Sequence, residues 1–252
     1  MSDDAIKGAA GLGRGGFSLV ELMVVIALVA LVTLFAVPSV RTLVSAGRFT
    51  SDLAAMGGAI EQARAYAIGA DTYVWLGLFE EDGAAPSAKP ARPGVGRIVV
   101  SVVASRDGTK IYDAARPAPL NPDRLLQVNP LLRIAAHLTV YPDGTGTSSD
   151  QGKTFEARPA VSGSRIGDTL PAAPSATSFP YPLSGAPQYT FVKSLQFNPA
   201  GEMKINNDTA GFQPITEIGL KPAHGNAVDA ASSDLAAVHV AGLTGAVRIY
   251  RR

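Results

Sequence analysis

From Leu22 to Val40 nineteen consecutive residues carry no charge, and Glu21 stands immediately before them. At about 1.5 Å per residue, a helix of that length spans roughly 28 Å, close to the ~30 Å hydrocarbon core of a bilayer. With the flanking Phe17, Leu19 and Val20, the segment 17–40 is long enough to cross a membrane. It exceeds the apolar region of a secretory signal, which runs about 7–15 residues. Val44-Ser45-Ala46 is a passable small-residue cleavage site, but Arg41 intervenes and no clean basic region leads in, so a cleaved signal is the weaker reading. Charge does not set the orientation. Lys7 and Arg14 before the run are matched by Arg41 and Arg48 after it, and the positive-inside rule counts only such residues.

A carboxylate at the centre of a membrane helix costs on the order of 2.5–3.5 kcal/mol, and less near the interface. Position alone therefore makes Glu21 a tolerable residue at headgroup level. Its neighbours add more: Gly15-Gly16, then Phe17-Ser18-Leu19-Val20, then Glu21 and the apolar run. "GGFSLVELMVVIALVALV" resembles the class III signature of type IV prepilins and type II secretion pseudopilins. That resemblance implies a leader at 1–16 ending in Gly16, cut there by a prepilin peptidase, with Phe17 as the N-methylated first residue. Glu21 takes the place of the family's glutamate, five positions after the cut, and Pro38 that of the proline that kinks the stem helix. It implies no cofactor. The physical role expected of Glu21 is assembly: cleavage frees a positive amine on Phe17, and a carboxylate on a neighbouring stem neutralises it in a low-dielectric filament core. Such a pair holds only at one stagger of the stems. Gly11-Leu12-Gly13-Arg14-Gly15-Gly16 also fits G-x-G-x-x-G, but a dinucleotide site needs a strand before it and residues 1–10 offer none.

Beyond Pro38 the helical period continues through Leu43, Ala46, Phe49, Leu53, Met56, Ile60, Ala63 and Ala67, an amphipathic stripe read as core. Gly57-Gly58 weaken it, and Gly69 is the expected C-cap. The spacing predicts one stem helix over 17–69 and a β-rich head over 70–252. Strands are predicted at 72–79, 96–105, 132–141, 189–198, 215–221, 235–242 and 246–251, with turns at Asp107-Gly108, Asp143-Gly144 and Ala200-Gly201 and a short helix at 121–128 capped near Asn121. Helix first and hairpin-spaced strands after predict an α+β, pilin-like fold with an antiparallel sheet. "LAAMGGAIEQARAYAIGADTYVWL", "LQFNPAGEMKI" and "VHVAGLTGAVRIYR" resemble parts of the minor pseudopilin H and FimT-like group. A further resemblance is to pilin-like proteins of the Verru_Chthon cassette protein D kind. The head departs from the former group by Pro/Ala/Ser-rich loops at 80–95 and 157–188.

The rest of the chain argues mainly by exclusion. Lys and Arg total 22 against 21 Asp and Glu, a mixture with no electrostatic case for nucleic acid. Cysteine is absent, which excludes disulfides and thiolate metal sites. No catalytic, cofactor or metal constellation is apparent. His137 and His239 fall in predicted strands and read as satisfied or solvent-facing, and His224 as a loop residue. Glu80-Glu81-Asp82 reads as a solvated turn, and Trp75 as core against the helix. "YPDGTGTSSDQGK" has turn chemistry without a P-loop Lys-Ser/Thr pair, and Asn207 is only formally a glycosylation acceptor.

The resemblance implies a structural subunit of a type II secretion pseudopilus or type IV pilus-like filament, and the large, loop-rich head, which would crowd a filament built of one subunit, predicts a minor one. Its partners would be prepilin peptidase, other pilin or pseudopilin subunits and the bacterial inner membrane. It would cross that membrane once, with the head outside the cytoplasm. The alternative is a membrane-anchored extracytoplasmic binding domain or enzyme that keeps an uncleaved N-terminal helix. Loss or retention of residues 1–16 separates the two.

Overall fold

The computed structural model describes residues 18–111, 119–139, 165–166, 178–205, 214–228 and 234–251; for helix residues 34–46 it describes the backbone alone. The expected leader 1–16, Phe17, the turn at Asp143-Gly144, Asn207 and much of the loop at 157–188 lie outside those residues. The chain divides into two compact units, Met1–Val44 and Ser45–Arg252. The architecture is α+β, as the sequence predicts, and compatible with a pilin-like fold.

One helix, α1 (Leu19–Gly69), runs through Gly57-Gly58 without a break. Its second half obeys the predicted stripe: Phe49, Leu53, Met56, Ile60, Ala63 and Ala67 are all buried. The expected cap at Gly69 is corrected. Thr72 N–H bonds to Ala67 O at 3.0 Å and Asp71 N–H to Ile68 O at 3.4 Å, while Asp71 takes a left-handed φ of 49°. Asp71 thus closes a Schellman-type end, a conformation that aspartate tolerates better than most residues with a side chain.

Fourteen strands follow among the described residues. Sheet A contains β1 (Val74–Asp82), β2 (Gly96–Ser105), β3 (Leu125–Gln127) and β4 (Leu132–Ile134). Sheet B takes β5 (Ala136–Thr139) and β6 (Arg165–Ile166). The strands β7 (Phe179–Tyr181) and β8 (Tyr189–Phe191) form a separate hairpin. Sheet A resumes with β9 (Lys193–Phe197) and β10 (Met203–Ile205). Sheet B is completed by β11 (Ile215–His224), β12 (Ala227–Val228), β13 (Ala236–Ala241) and β14 (Val247–Arg251). All pairs are antiparallel except β6 with β11.

Two predicted strands prove to be two strands each. The run 132–141 breaks at Ala135, where the chain leaves sheet A for sheet B, and 189–198 breaks at Val192, between the β7–β8 hairpin and sheet A. The predicted helix at 121–128 is a single 3-10 turn, Pro122–Arg124, capped by Asn121, whose side chain accepts from Asp123 N–H. β3 follows it directly. The loop expected at 80–95 starts later, because β1 extends to Asp82.

The core has two compartments, and strand parity decides which one a residue enters. Val74, Leu76 and Leu78 of β1, with Ile98, Val100 and Val102 of β2, join the α1 stripe and the inner residues Ile218, Leu220, Val238 and Val240 of sheet B. The intervening residues of sheet A, Trp75, Val99 and Val103, pack with Phe179, Tyr189 and Phe191 of the β7–β8 hairpin. Trp75 is therefore core on the face opposite α1, which corrects the expectation that it packs on the helix. Gly77 makes this second layer possible: a Cβ there would lie 2.6 Å from Phe191 Cβ and 2.7 Å from the Phe179 ring.

Candidate functional site

The first turn of α1 is a capping box. Ser18 Oγ accepts from the Glu21 N–H at 3.1 Å, and a Glu21 carboxylate oxygen, Oε2, accepts from the Ser18 N–H at 3.2 Å. Two of the N–H groups that a helix start leaves orphaned are satisfied reciprocally. The carboxylate also faces the positive end of the helix dipole. Both side chains remain exposed, and the second Glu21 oxygen makes no hydrogen bond among the described residues. Charge alone does not announce this cap. The S-x-x-E spacing that announces this cap was present in Ser18-Leu19-Val20-Glu21.

Beyond the cap the helix is apolar on every side. Leu19, Val20, Leu22, Met23, Val24, Val25, Ile26 and Leu28 are each about half exposed or more. Among the described residues nothing covers that surface. Thr33 turns its hydroxyl back onto the Val29 and Ala30 carbonyls at 3.0 and 2.9 Å, so the run's first polar side chain exposes no unsatisfied donor. Among the described residues no helix is long and apolar enough to cross a membrane; those with described side chains at the start of α1 are 18–33. Pro38 lies inside α1, with its side chain outside the description. Gly16 and Phe17 lie outside the described residues, so of the four expected site residues only Glu21 is seen with its contacts.

The acidic triplet in the head is corrected from solvated turn to buried clamp. Glu80 accepts from Leu138 N–H at 2.9 Å and meets His137 Nδ1 at 2.9 Å and Lys193 Nζ at 3.3 Å, tying β1 to β5 and β9. Glu81, only 2% exposed, pairs with Arg97 at 3.0 Å and accepts from the Ser87 hydroxyl at 2.9 Å. The alternation of β1 sends Glu80 and Glu81 to opposite faces, each toward a cation that the sequence places far away. Asp107 has its carboxyl held well below the ordinary range by hydrogen bonds from Thr109, Arg124 and Ser105. It pins the 105–109 turn to the 3-10 turn before β3. Asp52 is pushed the other way, up, by burial, against the Ala135 N–H bond and the Arg48 charge. Among the described residues no group of three or more His, Asp or Glu is placed to hold a metal ion. His137 is held by Glu80 and His239 by Glu217, whereas His224 ends β11 and is exposed.

What stands out at the N-terminal end is an exposed apolar helix headed by a carboxylate. Residues 12–37 match the family model described as the prokaryotic N-terminal methylation motif. No curated protein and no solved structure matches the chain. The matched segment contains the glycines, Phe17, Ser18, Glu21 and most of the apolar run. It implies processing by prepilin peptidase and assembly with other pilins, and it points to a structural subunit anchored in a membrane. By this motif the chain is a type IV prepilin-like protein.

Proposed function

We propose that the protein is a minor pseudopilin or pilin-like subunit, cut after Gly16, methylated on Phe17 and assembled into a type II secretion pseudopilus or a type IV pilus-like filament. The observation that carries this reading is the match of residues 12–37 to the methylation motif, with Glu21 at the head of an exposed apolar helix. Before assembly the helix, bent at Pro38, is a single inner-membrane span with the head outside the cytoplasm. After assembly the same apolar surface packs against neighbouring stems, and Glu21 neutralises the Phe17 amine of an adjacent subunit. The minor role rests on the size of the head and its long insertions, which crowd a filament built of one subunit. Local hairpins resemble those of the minor pseudopilin H and FimT-like group. β9–β10 turns at Gly201, with a φ of 80°, and β13–β14 at Gly245, with a φ of 64°.

Stoichiometry in sheared filaments tests the reading. The processed chain is expected there well below one copy per major subunit. Equal copies would overturn the minor role, and complete absence would overturn filament membership.

A further inference from the structure

On the face of sheet B turned away from α1, the strand register places Arg165, Glu217, His239 and Arg248 in one row across β6, β11, β13 and β14. Glu217 is fully buried and its carboxylate lies 2.7 Å from His239 Nε2. His239 is 4% exposed and its ring packs against Tyr250, centroids 4.8 Å apart. Among the described residues its second ring nitrogen, Nδ1, makes no hydrogen bond, and Arg248 makes no ion pair. These groups are not idle in position. His239, Arg248 and Tyr250 line a cavity of about 210 Å³ whose remaining wall includes Ile215, Ala241 and Ala246.

A buried imidazole fixed from behind by a carboxylate, beside an unpaired guanidinium, is a preorganised anion site. The apolar wall adds a requirement: the anion must sit on a short aliphatic stem. We propose that this cavity binds a carboxylate on such a stem, in a salt bridge to Arg248 and a hydrogen bond from His239 Nδ1, with the stem against Ile215, Ala241 and Ala246. The ring then donates on both sides, to Glu217 and to the ligand. The titratable and charged groups facing it are Glu217 from β11 and Arg248 and Tyr250 from β14; on β6, Arg165 is the register partner of Glu217. A free short-chain acid and a glutamate side chain of a protein partner present this same chemistry.

The test uses the full chain in detergent micelles. Butyrate, a glutamate-containing peptide blocked at both ends, and butylamine as the opposite-charge control are titrated while the His239 ring resonances are followed. Saturable shifts with butyrate or the peptide, but not with butylamine, are expected, and the tighter of the two identifies the source. Arg248→Gln, at an exposed position, should weaken binding about tenfold or more. Ala246→Phe should do the same by filling the cavity while leaving every charge in place. Absence of shifts with both acids overturns the proposal. So does equal response to butylamine, or acid binding unchanged in both variants.

Discussion

Ser18 and Glu21 exchange hydrogen bonds across the first turn of α1, so the carboxylate assigned to assembly also holds the start of its own helix. The two duties differ chemically. Capping needs an acceptor three residues into the helix, which glutamine also supplies; pairing with an amine needs a charge. Glu21→Gln should therefore keep the helix start and lose assembly, whereas Ser18→Ala should lose about 1 kcal/mol of cap and still assemble. The paired measurements are helicity in micelles and recovery in the filament fraction. Normal assembly of Glu21→Gln would remove the charge from the account.

Gly58 and Gly77 should respond to alanine in opposite directions. A Cβ on Gly58 meets nothing within 4 Å and sits mid-helix, so Gly58→Ala should stabilise the chain by about 0.5–1 kcal/mol. At Gly77 the new methyl would lie under 3 Å from Phe191 and Phe179. Gly77→Ala should cost about 1–3 kcal/mol through overpacking and loosen the β7–β8 hairpin. Thermal melts with tryptophan fluorescence check both, since Trp75 lies in the affected layer.

Glu81 is a buried charge whose removal strands its partner. Glu81→Leu leaves Arg97 without its carboxylate and the Ser87 hydroxyl without its acceptor, and should destabilise the chain by about 3–5 kcal/mol. Replacing Glu81 and Arg97 together by apolar residues should recover much of that loss. A denaturant melt of the double variant no better than the single one would contradict the clamp.

Two aspartates should give acid sensitivities of opposite sign. The Asp107 carboxyl is lowered, so its contribution is present above the ordinary carboxylate range and is lost as pH falls through its folded value. Asp52 is raised, so its protonated form folds better and that advantage is lost as pH rises through its folded value. Asp107→Asn should therefore flatten the acid loss of stability. Asp52→Asn, which keeps an oxygen for the Ala135 N–H, should stabilise the chain at neutral pH relative to about pH 3. Melting temperatures across that range report both.

Much of the fold was legible because it is periodic. The stripe from Phe49 to Ala67 and the strands of sheets A and B follow repeats that burial alone imposes. What escaped depends on partners distant in sequence. Trp75 and Glu81 are assigned to a face only once the β1–β2 register is known, and the β7–β8 layer that covers Trp75 is built from short segments without a repeat. Asp71 rather than Gly69 ends α1, because the closing bonds are set by where the chain must turn into β1. The His239–Glu217 pair joins residues 22 positions apart that only the β11–β13 register aligns. At the N-terminus the motif is fully legible, and the Ser18–Glu21 cap is spelled beside it in the S-x-x-E spacing, where the charge of Glu21 hides it.

Processing as a prepilin-like subunit would leave its mark on the N-terminus of the mature chain. Intact mass of the protein from cells with and without prepilin peptidase tests it most directly. The expected result is a chain beginning at Phe17 and carrying one added methyl group in the first case, and the unprocessed chain in the second. A chain that retains residues 1–16 in the presence of the peptidase would contradict it.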